Sequence, residues 1–91
     1  MIYTTLTYAQ FKENLEKLNK AYNNQWTVSG DSTLIVRDSL GNPLASISNE
    51  VWLAHSFDYV GFKKLPEDEK VYLFTLVFTL SKTSLQERGL K

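Results

Sequence analysis

The feature that most constrains this chain is a helix predicted near its C-terminus, which is apolar over most of its circumference. Pro66 stands at the first turn, where no backbone donor is lost, and acidic residues 67–69 follow at the positive end of the helix dipole. Only two threonines interrupt the apolar run at 71–80, and the helix is predicted to end at Lys82. Because one small sheet covers a stripe of about 100°, the remaining apolar residues need a second cover.

This helix is too short to cross a membrane, since residues 66–82 would span about 25 Å against roughly 30 Å of hydrocarbon. The 91 residues, 43% of them hydrophobic, predict a single domain over 1–91. Without cysteine, the chain has neither disulfides nor thiolate ligands for a metal. No secretory signal is apparent at the N-terminus, so we expect the protein in the cytoplasm.

An earlier helix is predicted from Tyr8 to Tyr22. Thr7 and Gln10 have capping-box spacing, while Leu6 and Phe11 stand where a hydrophobic staple would close. Apolar residues then recur at helical spacing and define one buried stripe. Its opposite face carries charges of alternating sign, which is typical of a face in contact with solvent.

Between the helices the period changes to two, which predicts antiparallel strands near 25–29, 33–38, 43–48 and 51–59. Gly30 suits the first central position of a type II′ turn, and Gly41 suits a residue with positive φ after a type I turn. The order of elements predicts an α+β two-layer sandwich: a helix, a three- or four-stranded antiparallel meander, and a second helix.

Catalytic chemistry has little support in the residues. His55 is the only imidazole, and its position in an apolar alternation favours a structural histidine over a catalytic one. A hydrolase triad would require Ser46, Ser48 or Ser56 to meet it, but no nucleophile elbow is present. The acidic residues at 67–69 are explained by the helix dipole. We therefore predict no catalytic, cofactor or metal site, and a protein that is not an enzyme.

Nucleic-acid binding is the alternative function. Arg37, Lys63 and Lys64, with nearby aromatic residues, could form a small patch for stacking on single strands. However, the ten basic and ten acidic side chains cancel, so no long-range field gathers a polyanion. The balance favours aromatic residues in the core and lysines in a solvated loop.

The C-terminal third resembles a group of small uncharacterised proteins encoded by phages and prophages of Gram-positive bacteria. The resemblance lies in Phe62-x-x-Leu65-Pro66, the apolar helix, and the ending Leu-Ser-Lys-Thr-Ser-Leu-Gln-Glu-Arg at 80–88. Ser84 occupies a position where proline is common in that group, and the hairpins at 26–48 also look similar. The resemblance implies a small accessory protein in the cytoplasm of an infected or lysogenic cell, and it brings no catalytic residue or cofactor.

These observations predict a protein-interaction module that self-associates, most simply as a two-fold dimer, and that binds a host or phage protein. The interface would use the outer side of the last helix or the sheet face that carries Trp52. Its candidate residues are Trp52, Tyr72, Leu73, Leu76 and Leu80. Alternatively, the first helix and the segment at 51–62 bury the excess apolar surface within one chain.

Overall fold

The first helix begins and ends where the sequence predicts. In the computed structural model, which describes residues 5–89, helix α1 spans Tyr8–Tyr22. The Thr7 hydroxyl accepts the Gln10 backbone N–H at 3.1 Å, and the Gln10 side chain accepts the Thr7 N–H at 3.0 Å. These two bonds confirm the capping box. Asn23, in the left-handed region at φ 56°, ends the helix.

Four antiparallel strands follow in the spatial order β1-β2-β3-β4, which confirms the α+β meander. The strands are β1 (Thr27–Ser29), β2 (Thr33–Arg37), β3 (Pro43–Ser48) and β4 (His55–Ser56). The register pairs Val36 with Val28 and Ala45, which places all three on the face toward the helices. On the opposite face Ser46 pairs with Ile35 and Ser56, and these side chains remain partly exposed.

The two hairpin turns differ in how well the sequence predicted them. The pair nearest the first turn is Ser29 with Ile35, so five residues intervene and the two-residue type II′ turn is wrong, although Gly30 does have φ +130°. The second turn is confirmed: the Gly41 N–H donates to the Asp38 carbonyl at 3.0 Å, and Gly41 has φ +86°.

The predicted fourth strand over 51–59 is wrong in extent, since only His55–Ser56 pairs with β3. Leu53 adopts φ 63°, a left-handed conformation that no strand contains, and its N–H donates to the Ser81 carbonyl at 3.0 Å. A tertiary hydrogen bond therefore replaces a ladder bond at this position. The chain then forms a short helix, α2 (Val60–Lys63), which the sequence did not indicate.

The last helix, α3 (Glu67–Lys82), agrees with its prediction and starts one residue after Pro66. One side of α3 packs with α1 and the inner sheet face in a single apolar core. The core residues are Leu6, Phe11, Leu15, Leu18, Trp26, Leu34, Val36, Leu44, Ala45, Ile47, Leu73, Leu76, Val77 and Leu80.

A C-terminal turn, residues 84–89, joins the end of α3 to the beginning of α1. Arg88 is completely buried and donates to the carbonyls of Ser48, Ser81 and Thr83 at 2.6, 2.8 and 3.0 Å. Its own carbonyl accepts the Tyr8 N–H at 2.7 Å. The guanidinium thus satisfies carbonyls that the end of α3 leaves without a helical donor, at the negative end of the helix dipole.

Candidate functional site

The outer side of α3 is the most unusual surface of the described residues, because it is exposed and yet largely apolar. Val71, Phe74 and Phe78 are 57%, 46% and 38% exposed. They follow one another at intervals of three and four residues, so they lie on one side of the helix. Thr75, which is half-buried, lies beside them. We call these four residues the outer strip.

Aromatic side chains from three elements extend the outer strip toward β4 and α2. The Phe74 and Phe78 rings are stacked with centroids 5.8 Å apart, and Phe57 lies 5.2 Å from Phe74. Phe62 of α2 lies 4.7 Å from Phe57, and His55 meets Phe78 edge-on at 5.9 Å. Each distance is within the range in which aromatic pairs attract one another. The result is a continuous aromatic surface along one side of α3.

The segment before β4 is held against the end of α3 by polar contacts. The Trp52 indole N–H donates to the Lys82 carbonyl at 2.7 Å, and His55 Nδ1 shares a hydrogen bond with Ser81 Oγ at 2.9 Å. These bonds fix Trp52, which is 55% exposed, beside the C-terminal end of α3. Trp52 is one of the interface candidates predicted from the sequence, and the structure leaves it accessible.

Three of the interface residues predicted from the sequence are buried in the structure, so that part of the prediction is wrong. Tyr72 is exposed, as an interface residue must be, but Leu73, Leu76 and Leu80 are buried in the core of the same chain. They face α1 and the sheet because they lie on the side of α3 opposite the outer strip. The exposed apolar residues of α3 are instead Val71, Tyr72, Phe74 and Phe78.

His55 has the surroundings of a structural side chain. Its hydrogen-bond partner is the buried Ser81 hydroxyl, and the register aligns His55 with Ile47, opposite in face to Ser46 and Ser56. The serines weighed as nucleophiles therefore do not meet the imidazole. Within residues 5–89, no three His, Asp or Glu side chains lie close enough together to hold a metal ion.

The basic residues proposed for nucleic acid are each engaged differently. Lys63 Nζ lies 3.0 Å from the Asp58 carboxylate, the one ion pair in the described part of the chain. Arg37 donates to the Gly41 carbonyl at 3.2 Å, within the β2–β3 turn. Lys64 is exposed at the end of α2. An acidic partner offsets part of the positive charge, and no contact joins Arg37 to either lysine.

Among the grooves of the described residues, two border helix α1. The larger, of about 820 Å³, lies among the end of α1, the β2–β3 turn and α2, and its rim is rich in carboxamides. In the β2–β3 turn, the backbone N–H of Asn42 donates to the Asp38 carboxylate and lowers the pKa of that carboxyl. The smaller groove, of about 510 Å³, lies between α1 and α3, where the Tyr22 and Tyr72 rings are 6.0 Å apart. Burial, reinforced by the Asp68 carboxylate, raises the pKa of Tyr22, so its phenol remains neutral at physiological pH.

None of the helices in residues 5–89 has the length and apolar character needed to span a membrane. Comparison with known protein families, characterised proteins and solved structures finds no match.

Proposed function

We propose that this protein is a non-enzymatic protein-interaction module that self-associates and binds a further protein through the outer side of α3. The carrying observation is the exposed aromatic surface. With about 200 Å² for each aromatic residue, the exposed fractions of Trp52, Phe74 and Phe78 leave roughly 280 Å² in water. Exposed apolar patches of a few hundred Å² are among the largest that monomers carry, and they are often functional.

The composition of the patch supports a protein partner. Aromatic residues are enriched in the buried centres of protein interfaces, where charged side chains are depleted. Phe74 and Phe78 hold each other in a stacked arrangement before any partner binds, so little side-chain entropy remains to be lost on association. The resemblance of the C-terminal third to phage and prophage proteins supports an accessory role in the cytoplasm of a bacterial cell.

The test is to place a charge in the outer strip and measure association. Phe78→Asp should shift the sedimentation coefficient of the purified protein to that of one chain at concentrations where the unaltered protein is larger. Used as bait in a lysate of a Gram-positive host, the same variant should lose any protein that the unaltered chain retains.

Leu40→Asp is the matched control, because Leu40 is 85% exposed in the β2–β3 turn, away from α3. It should behave like the unaltered protein in both assays. Circular dichroism and urea unfolding establish that both variants fold. Equal behaviour of the Phe78 and Leu40 variants would contradict the proposed function, since a patch that binds protein cannot tolerate a buried unpaired carboxylate.

A further inference from the structure

We infer that α3 packs antiparallel against α3 of a second copy of this chain, about a two-fold axis that passes between Phe74 and Thr75. This inference rests on the proposed function and specifies its self-association. The outer strip of one copy then covers the outer strip of the other, because the same patch serves both partners in a two-fold interface.

The outer side of α3 is self-complementary in the antiparallel direction. Residues equally distant from the midpoint between Phe74 and Thr75 face each other across such an axis. Val71 of one copy then meets Phe78 of the other, so a smaller apolar side chain lies opposite a larger one. Phe74 and Thr75 lie at the axis but on opposite sides of the interface, about 100° apart around the helix, so each lies beside the same residue of the other copy. The Thr75 hydroxyl would not lack a hydrogen-bond partner in this interface, because it already donates to the Val71 carbonyl at 2.8 Å.

The charges at the two ends of α3 favour an antiparallel pair of helices over a parallel one. Glu67 and Lys82 are the two ends of α3 and are also equally distant from the midpoint, so an antiparallel pair brings each glutamate to the lysine of the other copy. Neither side chain forms an ion pair within the described residues of its own chain. A parallel pair would instead place like charges together at both ends. The helix dipoles also favour the antiparallel arrangement.

The neighbouring charges agree with this direction. Asp68 shares the acidic first turn with Glu67, whereas the Glu69 carboxylate accepts a hydrogen bond from the Asn24 side chain of its own chain at 2.7 Å. At the other end, Lys82 is the basic residue of the last turn and lies 5.8 Å from the Phe78 ring centroid. Lys63, four residues before the beginning of α3, is neutralised by Asp58. Antiparallel packing therefore matches an acidic end with a basic end twice.

The available area predicts a dimer of modest affinity. Trp52, Phe74 and Phe78 contribute roughly 280 Å² from each copy, so even with Val71 the apolar area of two copies stays below the lower limit of about 1,200 Å² for stable interfaces. We therefore expect the dimer to dissociate on dilution through the micromolar range.

Charge exchange tests the direction. Glu67→Lys and Lys82→Glu, each alone, would place like charges at both ends of the dimer, and each should weaken it about tenfold at low ionic strength. An equimolar mixture of the two variants places opposite charges at both ends and should form a heterodimer as tight as the unaltered dimer. Restoration cannot come from a folding defect, because the mixture contains only the two weakened proteins.

A cysteine at the axis tests the register. With helix axes about 9 Å apart and a Cα radius of about 2.3 Å, the two Thr75 Cα atoms would lie roughly 6 Å apart, within the range that a disulfide bridges. The chain contains no cysteine, so Thr75→Cys introduces the only thiol. It should cross-link into a dimer under mild oxidation, while Leu40→Cys, which is more exposed, should not.

The outcomes separate this inference from the proposed function. If Phe78→Asp dissociates the protein but mixing restores nothing and Thr75→Cys does not cross-link, the antiparallel geometry is overturned while the interaction surface stands. If the unaltered protein is a single chain at every concentration, the inference is overturned. The proposed function then also fails, unless the Phe78 variant alone loses a bound protein from the lysate.

Discussion

Replacing Arg88 with methionine should remove a large part of the stability of this fold. The guanidinium is buried without a carboxylate partner among the described residues and donates only to backbone carbonyls. Burial lowers the pKa of Arg88, but an arginine remains protonated throughout the physiological range. The charge is therefore present in the folded state. Removing the guanidinium leaves its carbonyl partners without the donor that it supplies.

The expected loss of stability depends on which of these carbonyls keep another hydrogen-bond donor. The Ser81 carbonyl keeps a donor, the Leu53 N–H, but those of Ser48 and Thr83 lose the donor that Arg88 supplies. Each buried acceptor without a donor costs about 1–3 kcal/mol, and relief of the buried charge offsets part of that sum. We expect a net loss of about 3 kcal/mol, against a total stability of about 5–14 kcal/mol for a domain of this size.

Urea unfolding followed by fluorescence measures this loss, since Trp26 is buried in the core. With a slope of about 1.5 kcal/mol per molar urea, the midpoint should fall by about 2 M. Arg37→Met is the control, because Arg37 donates one bond to an exposed turn, and its effect should stay within about 0.5 kcal/mol. Similar midpoints for the two methionine variants would refute the stabilising role of the C-terminal turn.

Two further predictions concern the hairpins. Gly30→Ala should cost at least about 3 kcal/mol, because its Cβ would lie 2.0 Å from the Thr33 carbonyl oxygen, whereas Gly41→Ala meets no atom within 4 Å and should cost about 1 kcal/mol for positive φ alone. Thermal unfolding distinguishes them, and equal losses would contradict the geometry. Because the Asn42 N–H lowers the pKa of Asp38, the stabilisation is present above the unfolded pKa near 4 and is lost as pH falls through the lower folded value. Asp38→Asn should remove that acid-dependent component, so urea midpoints of the variant and the parent should converge between about pH 5 and pH 2; a constant difference would disprove the linkage.

The elements that the sequence predicted well are those determined by nearby residues. The bounds of α1 follow from the Thr7 and Gln10 cap and from one apolar stripe, all within a few turns. The start of α3 follows from Pro66 and its acidic first turn. The β2–β3 turn follows from Asp38 and Gly41 in the same way. In each case the hydrogen bonds that fix the boundary join residues a few positions apart.

The predictions from the sequence are wrong where contacts between residues far apart in the chain determine the structure. Leu53 leaves the strand conformation because its N–H bonds to Ser81, on a helix that the local sequence cannot bring near. The sequence does not show which side of α3 is buried, because the helix is apolar nearly all round. Leu73 is therefore predicted at the interface although it is buried, and the exposed Phe74 is not among the predicted residues. From the sequence, Arg88 is noted only as the last residue of the ending at 80–88, since no pattern marks a buried arginine that binds carbonyls.

The C-terminal turn also has a consequence for the order in which the chain folds. Each strand of the meander pairs with the next, so the sheet requires only short loops. The bond from the Leu6 N–H to the Thr83 hydroxyl joins residues 77 positions apart, and closing such a loop costs about 4 kcal/mol in entropy, against about 2 kcal/mol for ten residues. The sheet can therefore form early, while α1 gains its final contacts last. During synthesis, the bonds from Arg88 to the carbonyls of Ser48, Ser81 and Thr83 can form only after residue 88 has left the ribosome.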